Sequence, residues 1–267
     1  MIQPNDYSHF DIPTIYVGYD PREDLAYRVL KHSAHKHASG PLNVFPIKQD
    51  NVRRIGLYRR AWELGSSNLP KPENDSDIQH RDQFDGRPFS TDFSFTRFLV
   101  PFLHRLEGWA LFMDCDMFFR SDPLELFRTY NDNKYAMYCV KHNYHPTETI
   151  KMYGNEQYDY SRKNWSSVMM FNCGHHGHKN YTVDDVSTKP GRWLHNLLWL
   201  EDADIGRLPE EWNWLDGHSQ ADLDAKNVHF TRGGPWFRHL SWSPISEQDE
   251  IYAQEWENLA TEIEIKQ

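Results

Sequence analysis

At 267 residues the chain is long enough for one large α/β domain or two small ones with a substantial core. Its formal net charge of −10 argues against a nucleic-acid groove or an anionic membrane surface as the main partner, so an anionic ligand needs a local cation to approach. The three cysteines, Cys115, Cys139 and Cys173, have no paired spacing, which fits reduced thiols in a cytosolic setting.

Met1 to Asp6 show no basic-then-apolar leader pattern, and no stretch approaches the about 20 apolar residues of a membrane span, so cytoplasmic residence without a transmembrane segment is expected. Thr14–Tyr19 predicts a first strand. Asp20-Pro21-Arg22-Glu23 then starts a helix whose apolar positions Leu25, Val29 and Leu30 keep helical spacing to about His37, and Leu42–Ile47 predicts a second strand. Strand, helix, strand in this order argues for a βαβ unit and a parallel sheet. Residues 68–92 are polar, rich in Pro, Asp and Asn, and are expected to form a long surface loop. A helix through Phe95, Phe98, Leu99, Phe102 and Leu103, with Arg97 on its other face, leads into the apolar run Ala110–Met113. Further strands are expected at Tyr135–Val140, Val168–Cys173 and Val228–Phe230, with helices at Pro123–Phe127, Trp193–Leu200 and 251–265. No internal repeat divides the chain, and residues 1–267 are expected to form a single domain.

The run Phe112-Met113-Asp114-Cys115-Asp116 places two carboxylates, one residue apart, at the end of an apolar segment. Buried carboxylates need a cation, an arginine or backbone donors. If the strand continues through both, Asp114 and Asp116 face the same side and can share one oxygen-preferring ion, Mg²⁺ or Mn²⁺, which commonly completes its shell with phosphate oxygens and water.

Taken with Ile15–Asp20, Thr96-Arg97, Asn164–Asn172, Leu208–Asn213 and His229–Trp236, this motif resembles the GT-A class of nucleotide-sugar glycosyltransferases, particularly glycosyltransferase family 8 and its bacterial relatives. The resemblance implies a mostly parallel, Rossmann-like central sheet flanked by helices, with a smaller acceptor-side subregion. It implies a sugar transferred from a nucleotide-sugar donor, a UDP-sugar, to a carbohydrate or other hydroxyl acceptor with retention of anomeric configuration. In that reading Asp114, Asp116 and His229 hold Mn²⁺ or Mg²⁺, while Gly18, Tyr19, Asp20 and Arg22 meet base and ribose. Gly233 and Gly234, with Asp114, serve the diphosphate. Arg97 meets the diphosphate or donor sugar, or else is a solvated helix arginine. Asn164, Trp165, Ser166 and Ser167 line sugar pockets; Trp212, Asn213 and Trp236 do the same, or the tryptophans are core. Asp202 stands near the anomeric carbon, with Glu201 and Asp204 as alternatives. Arg22 stands where the family carries an asparagine, which leaves the base open.

Three rivals remain. A haloacid-dehalogenase-type phosphatase also uses an Asp-x-Asp on an apolar strand, but needs it near the start of the chain with Thr or Val two residues after the second Asp, where Phe118 stands here. A zinc site from Cys173, His175, His176 and His178 packs four ligand types into six positions, too close for one tetrahedral ion. An inactive carbohydrate-binding protein on the same fold is the third.

Overall fold

The computed structural model describes residues 12–61, 80–143, 150–151, 155–156, 162–220, 224–237 and 250–265. In chain order the strands are β1 (Thr14–Gly18), β2 (Asn43–Ile47), β3 (His80–Arg81), β4 (Pro88–Phe89), β5 (Trp109–Met113), β6 (Met117–Phe119), β7 (Met137–Val140), β8 (Ile150–Lys151), β9 (Asn155–Glu156), β10 (Val168–Asn172), β11 (Ile205–Leu208), β12 (Trp214–Leu215) and β13 (Asn227–His229). The helices are α1 (Asp24–His37), α2 (Gln49–Arg54), α3 (Val100–Leu103), α4 (Leu124–Thr129), α5 (Val183–Thr188), α6 (Gly191–His195) and α7 (Glu250–Ile265).

Six strands form the central sheet in the order β11-β7-β10-β5-β1-β2. All neighbours are parallel except β10, which runs antiparallel to both β5 and β7. Short apolar runs such as Val168–Asn172, buried at every position, form these strands because both faces of the sheet are covered. The strand holding Ala110–Met113 is therefore parallel on its β1 side only. Asp20 accepts the Arg22 N–H and, with Pro21 behind it, starts the 3₁₀ turn that feeds α1. Along α1, Ala26, Tyr27, Val29, Leu30, Ser33 and Ala34 make the buried stripe, which packs over β6 and against α7.

A second sheet, β12-β13-β6, stands beside the first. Strand β13 pairs antiparallel with β6 in the register His229 to Met117, backed by Phe118, Trp214, Phe230 and Trp256. This register brings the late histidine next to the mid-chain acids.

The expected loop 68–92 differs in its described part. Residues 80–89 form the small β3–β4 hairpin, and His80, Asp82 and Ser90 are buried. The expected helix Trp193–Leu200 is shorter: α6 ends at His195, and Leu197 takes a left-handed φ of 53° that no helix continues. The segment before β5 is a 3₁₀ turn, Thr96–Leu99, followed by the single turn α3. Among the described residues no helix is long and apolar enough to cross a membrane.

Candidate active site

Asp114 and Asp116 are not strand residues. They flank the bend between β5 and β6, so strand alternation is not what makes them converge. Backbone bonds do so: the Asp114 N–H donates to the Ser167 carbonyl at 3.0 Å, and the Phe230 N–H donates to the Asp116 carbonyl at 2.9 Å. One carboxylate oxygen from each acid and one ring nitrogen of His229 lie within 4.8 Å of one another.

All three side chains are buried, which sets their electrostatics. Burial pushes the Asp114 carboxyl up to about 6, against the opposing pull of Arg97 and with a further push from Asp116. For His229, burial is the largest influence and favours the neutral ring, but Asp116, 3.3 Å from Nε2, together with Asp114 and Asp216 outweighs it and raises the pKa. Burial, and then the charges of Asp116 and Asp20, push the Glu23 carboxyl well above its usual value. Oδ1 of Asp114 and Oδ1 of Asp116 are buried without an aligned hydrogen-bond donor, although Arg97 Nη1 lies 2.8 Å from the former. His229 Nδ1 faces Asn213 Oδ1 at 2.9 Å, which leaves Nε2 turned to the acids. Two under-satisfied carboxylate oxygens and an imidazole nitrogen form a donor set that fits a divalent ion.

Arg97 is not on a solvated helix face. It is buried, and its guanidinium bonds the Ser166 carbonyl at 2.8 Å and the Phe93 carbonyl at 3.3 Å besides pairing with Asp114. These partners occupy the groups that the sequence reading assigned to a diphosphate.

The three candidate ligands line a cleft of about 180 Å³. Ser90, Thr91 and Phe93 wall one side, Asn164, Ser166 and Ser167 another, and Gly191, Arg192 and His195 a third. The hairpin and α6 contribution was not legible in the sequence, because two-residue strands carry no period. Lys163, also buried and in the wall, sits next to the expected Asn164.

No family model matches the chain. It is 45% identical over 228 residues to Protein CDI of Arabidopsis thaliana, a match covering 84% of this chain and 79% of that protein. The chain belongs to the family of Protein CDI. Among solved structures, this CDI-family chain resembles the bifunctional glycosyltransferase WbbM at a TM-score of 0.54 and 14% identity, over 94% of the chain but 52% of WbbM. It resembles the glycosyltransferase GlyE of Streptococcus pneumoniae TIGR4 at 0.54 and 14%, over 96% of the chain and 64% of GlyE. It also resembles the galactosyltransferase LgtC in complex with donor and acceptor sugar analogs, at 0.51 and 14%, over 93% of the chain and 95% of LgtC. The chain thus spans about half of WbbM and just under two thirds of GlyE. The CDI-family fold is the α/β fold of GT-A-type glycosyltransferases.

Other expected site residues of this CDI-family chain fall outside the cleft. Asp20 is saturated by the Arg22 N–H, the Arg22 guanidinium and the Asp92 N–H, and Arg22 reaches on to the Ser90 carbonyl at 2.6 Å. A side chain at Gly18 would overlap the Phe93 ring. Gly18, Asp20 and Arg22 therefore brace the wall at 90–93. Tyr19 donates its hydroxyl to Asp24 and carries Lys48 over its ring at 4.5 Å. The Gly233 N–H donates to the Phe230 carbonyl, and a side chain at Gly234 would overlap Trp236. Trp212 is fully buried in the core, and Trp236, partly buried, packs against Phe230 and Trp256 at its edge. Trp165 bonds the His142 carbonyl. Asp202 is exposed and paired with Arg162.

A second group, His175, His176 and Asp204, also has donor atoms within 4.8 Å. There Nδ1 of His175 accepts the Gly177 N–H at 3.0 Å, so the proton of the neutral ring sits on Nε2, and the ring caps the 3₁₀ turn His176–His178. His178 is similarly engaged between the Trp199 indole N–H and the Ala136 carbonyl, and Cys173 is buried. His175 and His178 are thus tied into the local fold by their ring nitrogens.

Proposed function

We propose that this protein is a metal-dependent glycosyltransferase that moves a sugar from a nucleotide-sugar donor, UDP-linked, to a carbohydrate or other hydroxyl acceptor with retention of configuration. The observation that carries the reading is the convergence of Asp114, Asp116 and His229, from two distant parts of the chain, on one wall of a cleft in a glycosyltransferase fold. These three residues would hold Mn²⁺ or Mg²⁺, which when bound offsets the charge gathering on a departing nucleoside diphosphate. Arg97 keeps Asp114 aimed at the site rather than binding the diphosphate itself. Asn164 takes a left-handed φ of 62°, and its buried Nδ2, without a partner among the described residues, supplies a donor for a sugar hydroxyl. A ligand at about 100 times its Kd stabilises by about 2.7 kcal/mol. UDP with Mn²⁺ is therefore expected to raise the melting temperature, and UDP with a chelator is not; equal shifts would remove the metal bridge. Mn²⁺-dependent hydrolysis of UDP-sugars separates this reading from a binding-only protein on the same fold.

A further inference from the structure

Behind the candidate metal-facing imidazole two side chains, Asn213 and Ser167, stand in line and end on a backbone carbonyl. Ser167 Oγ donates to the Asn164 carbonyl at 2.8 Å, Asn213 Nδ2 donates to Ser167 Oγ at 2.8 Å, and Asn213 Oδ1 faces His229 Nδ1 at 2.9 Å. The amide orientation is dictated by its neighbours. The Asn164 carbonyl lies 3.4 Å from the same amide atom, and a carbonyl oxygen there repels Oδ1 but accepts from Nδ2. Oδ1 is thereby left as a pure acceptor toward His229. Asn213 is fully buried and His229 nearly so, at 2% exposure, so water does not substitute for either partner.

We propose that Asn213, held by Ser167, is a positioning residue that fixes the neutral His229 ring as the Nδ1–H tautomer and so presents the Nε2 lone pair to the metal site. The competing tautomer carries its proton on Nε2, donates it to Asp116 across 3.3 Å, and occupies two candidate ligands at once. An acceptor on the far nitrogen removes that competitor and orients the ring, the usual work of a group one layer behind a metal ligand. The same logic explains why His175 is a poor ligand, since its far nitrogen accepts a bond instead of donating one. The metal half of this inference rests on the proposed function; the tautomer does not.

Two measurements test it on the full chain. In metal-free protein at alkaline pH, nitrogen-15 NMR of the His229 ring is expected to show Nε2 as the unprotonated nitrogen; a dominant Nε2–H form overturns the proposal. Mn²⁺ titration followed by electron paramagnetic resonance is expected to show affinity about 10- to 100-fold weaker in Asn213→Leu. Asn213→Asp, which keeps the acceptor, is expected to recover part of that loss, as a purely structural role would not. Wild-type protein that takes up no Mn²⁺ overturns the proposed function and the metal half together. Uptake by wild type with equal affinity in folded Asn213→Leu overturns this inference alone.

Discussion

At the scale of single residues, the acid pair and Arg97 hold one another in a balance that can be broken from either side. Asp114 is buried with its charge opposite one guanidinium, and removing one partner of a buried pair typically costs about 3–5 kcal/mol. Arg97→Met is expected to lose stability of that order in urea unfolding at pH 8. The deficit should shrink toward pH 5, because the Asp114 pKa, about 6 with Arg97 present, rises further without it and protonation removes the unpaired charge. A deficit equal at both pH values would mean that Arg97 acts through the Phe93 and Ser166 carbonyls alone. Asp116→Asn belongs to the same scale with the opposite outcome for folding. It keeps the shape and lightens a crowded acid site, so it is expected to abolish Mn²⁺ binding and transfer while the melting temperature holds. Full turnover by this variant would refute the ligand assignment.

At the scale of elements, the cleft wall depends on a knot that no periodic pattern marks. Arg60 is fully buried; it reaches Asp82 at 2.6 Å and the carbonyls of Val186 and Lys189 at 3.1 and 2.8 Å, with its guanidinium 3.9 Å above the Phe95 ring. Asp82 in turn accepts the Gly191 N–H at 2.8 Å, so the β3–β4 hairpin, α5 and α6 are fastened at one point. Asp82→Ala leaves the guanidinium buried and unpaired. It is expected to cost about 3–5 kcal/mol and to raise hydrogen exchange at 80–89 and 186–192, while β1 and β5 stay protected. Unchanged exchange in those segments would remove the knot from the account of the wall. The same region shows where sequence reading stops. Strands β1, β2, β5, β7 and β10 and helices α1 and α7 were legible because each is an apolar run or stripe longer than its turn signals. The hairpin was not, because two-residue strands held by a buried ion pair have no period. At the site, Asp114 and Asp116 were legible as a chemical pattern and His229 through the family resemblance, and the three do come together. Asp20 and Arg22 were legible only as residue types, and nothing in the sequence says that they bond each other.

At the scale of the whole molecule, buried titratable groups on separate elements pull stability in opposite directions across one pH window. His104 and His178 are both buried, and burial lowers each ring to about 4. The unfolded chain therefore binds protons that the folded chain refuses between about pH 6.5 and pH 4. Each histidine removes stability as pH falls, by roughly 3 kcal/mol at the bottom of the window. Asp114 works the other way. Its folded pKa of about 6 lies above the ordinary carboxylate value, so protonation favours the fold as pH falls through 6. His142, lowered by burial to about 3, acts in the same direction as His104 and His178, and the protein is expected to be less stable at pH 4.5 than at pH 7.5. His104→Gln retains a polar partner for the Tyr16 hydroxyl, which stands 3.3 Å from the ring. This variant is expected to flatten the acid limb of a urea-unfolding series, whereas Asp114→Asn, which deletes the opposing group, is expected to steepen it. Parallel curves for wild type and His104→Gln would show that this ring does not govern the acid limb, which His142 and His178 would then carry.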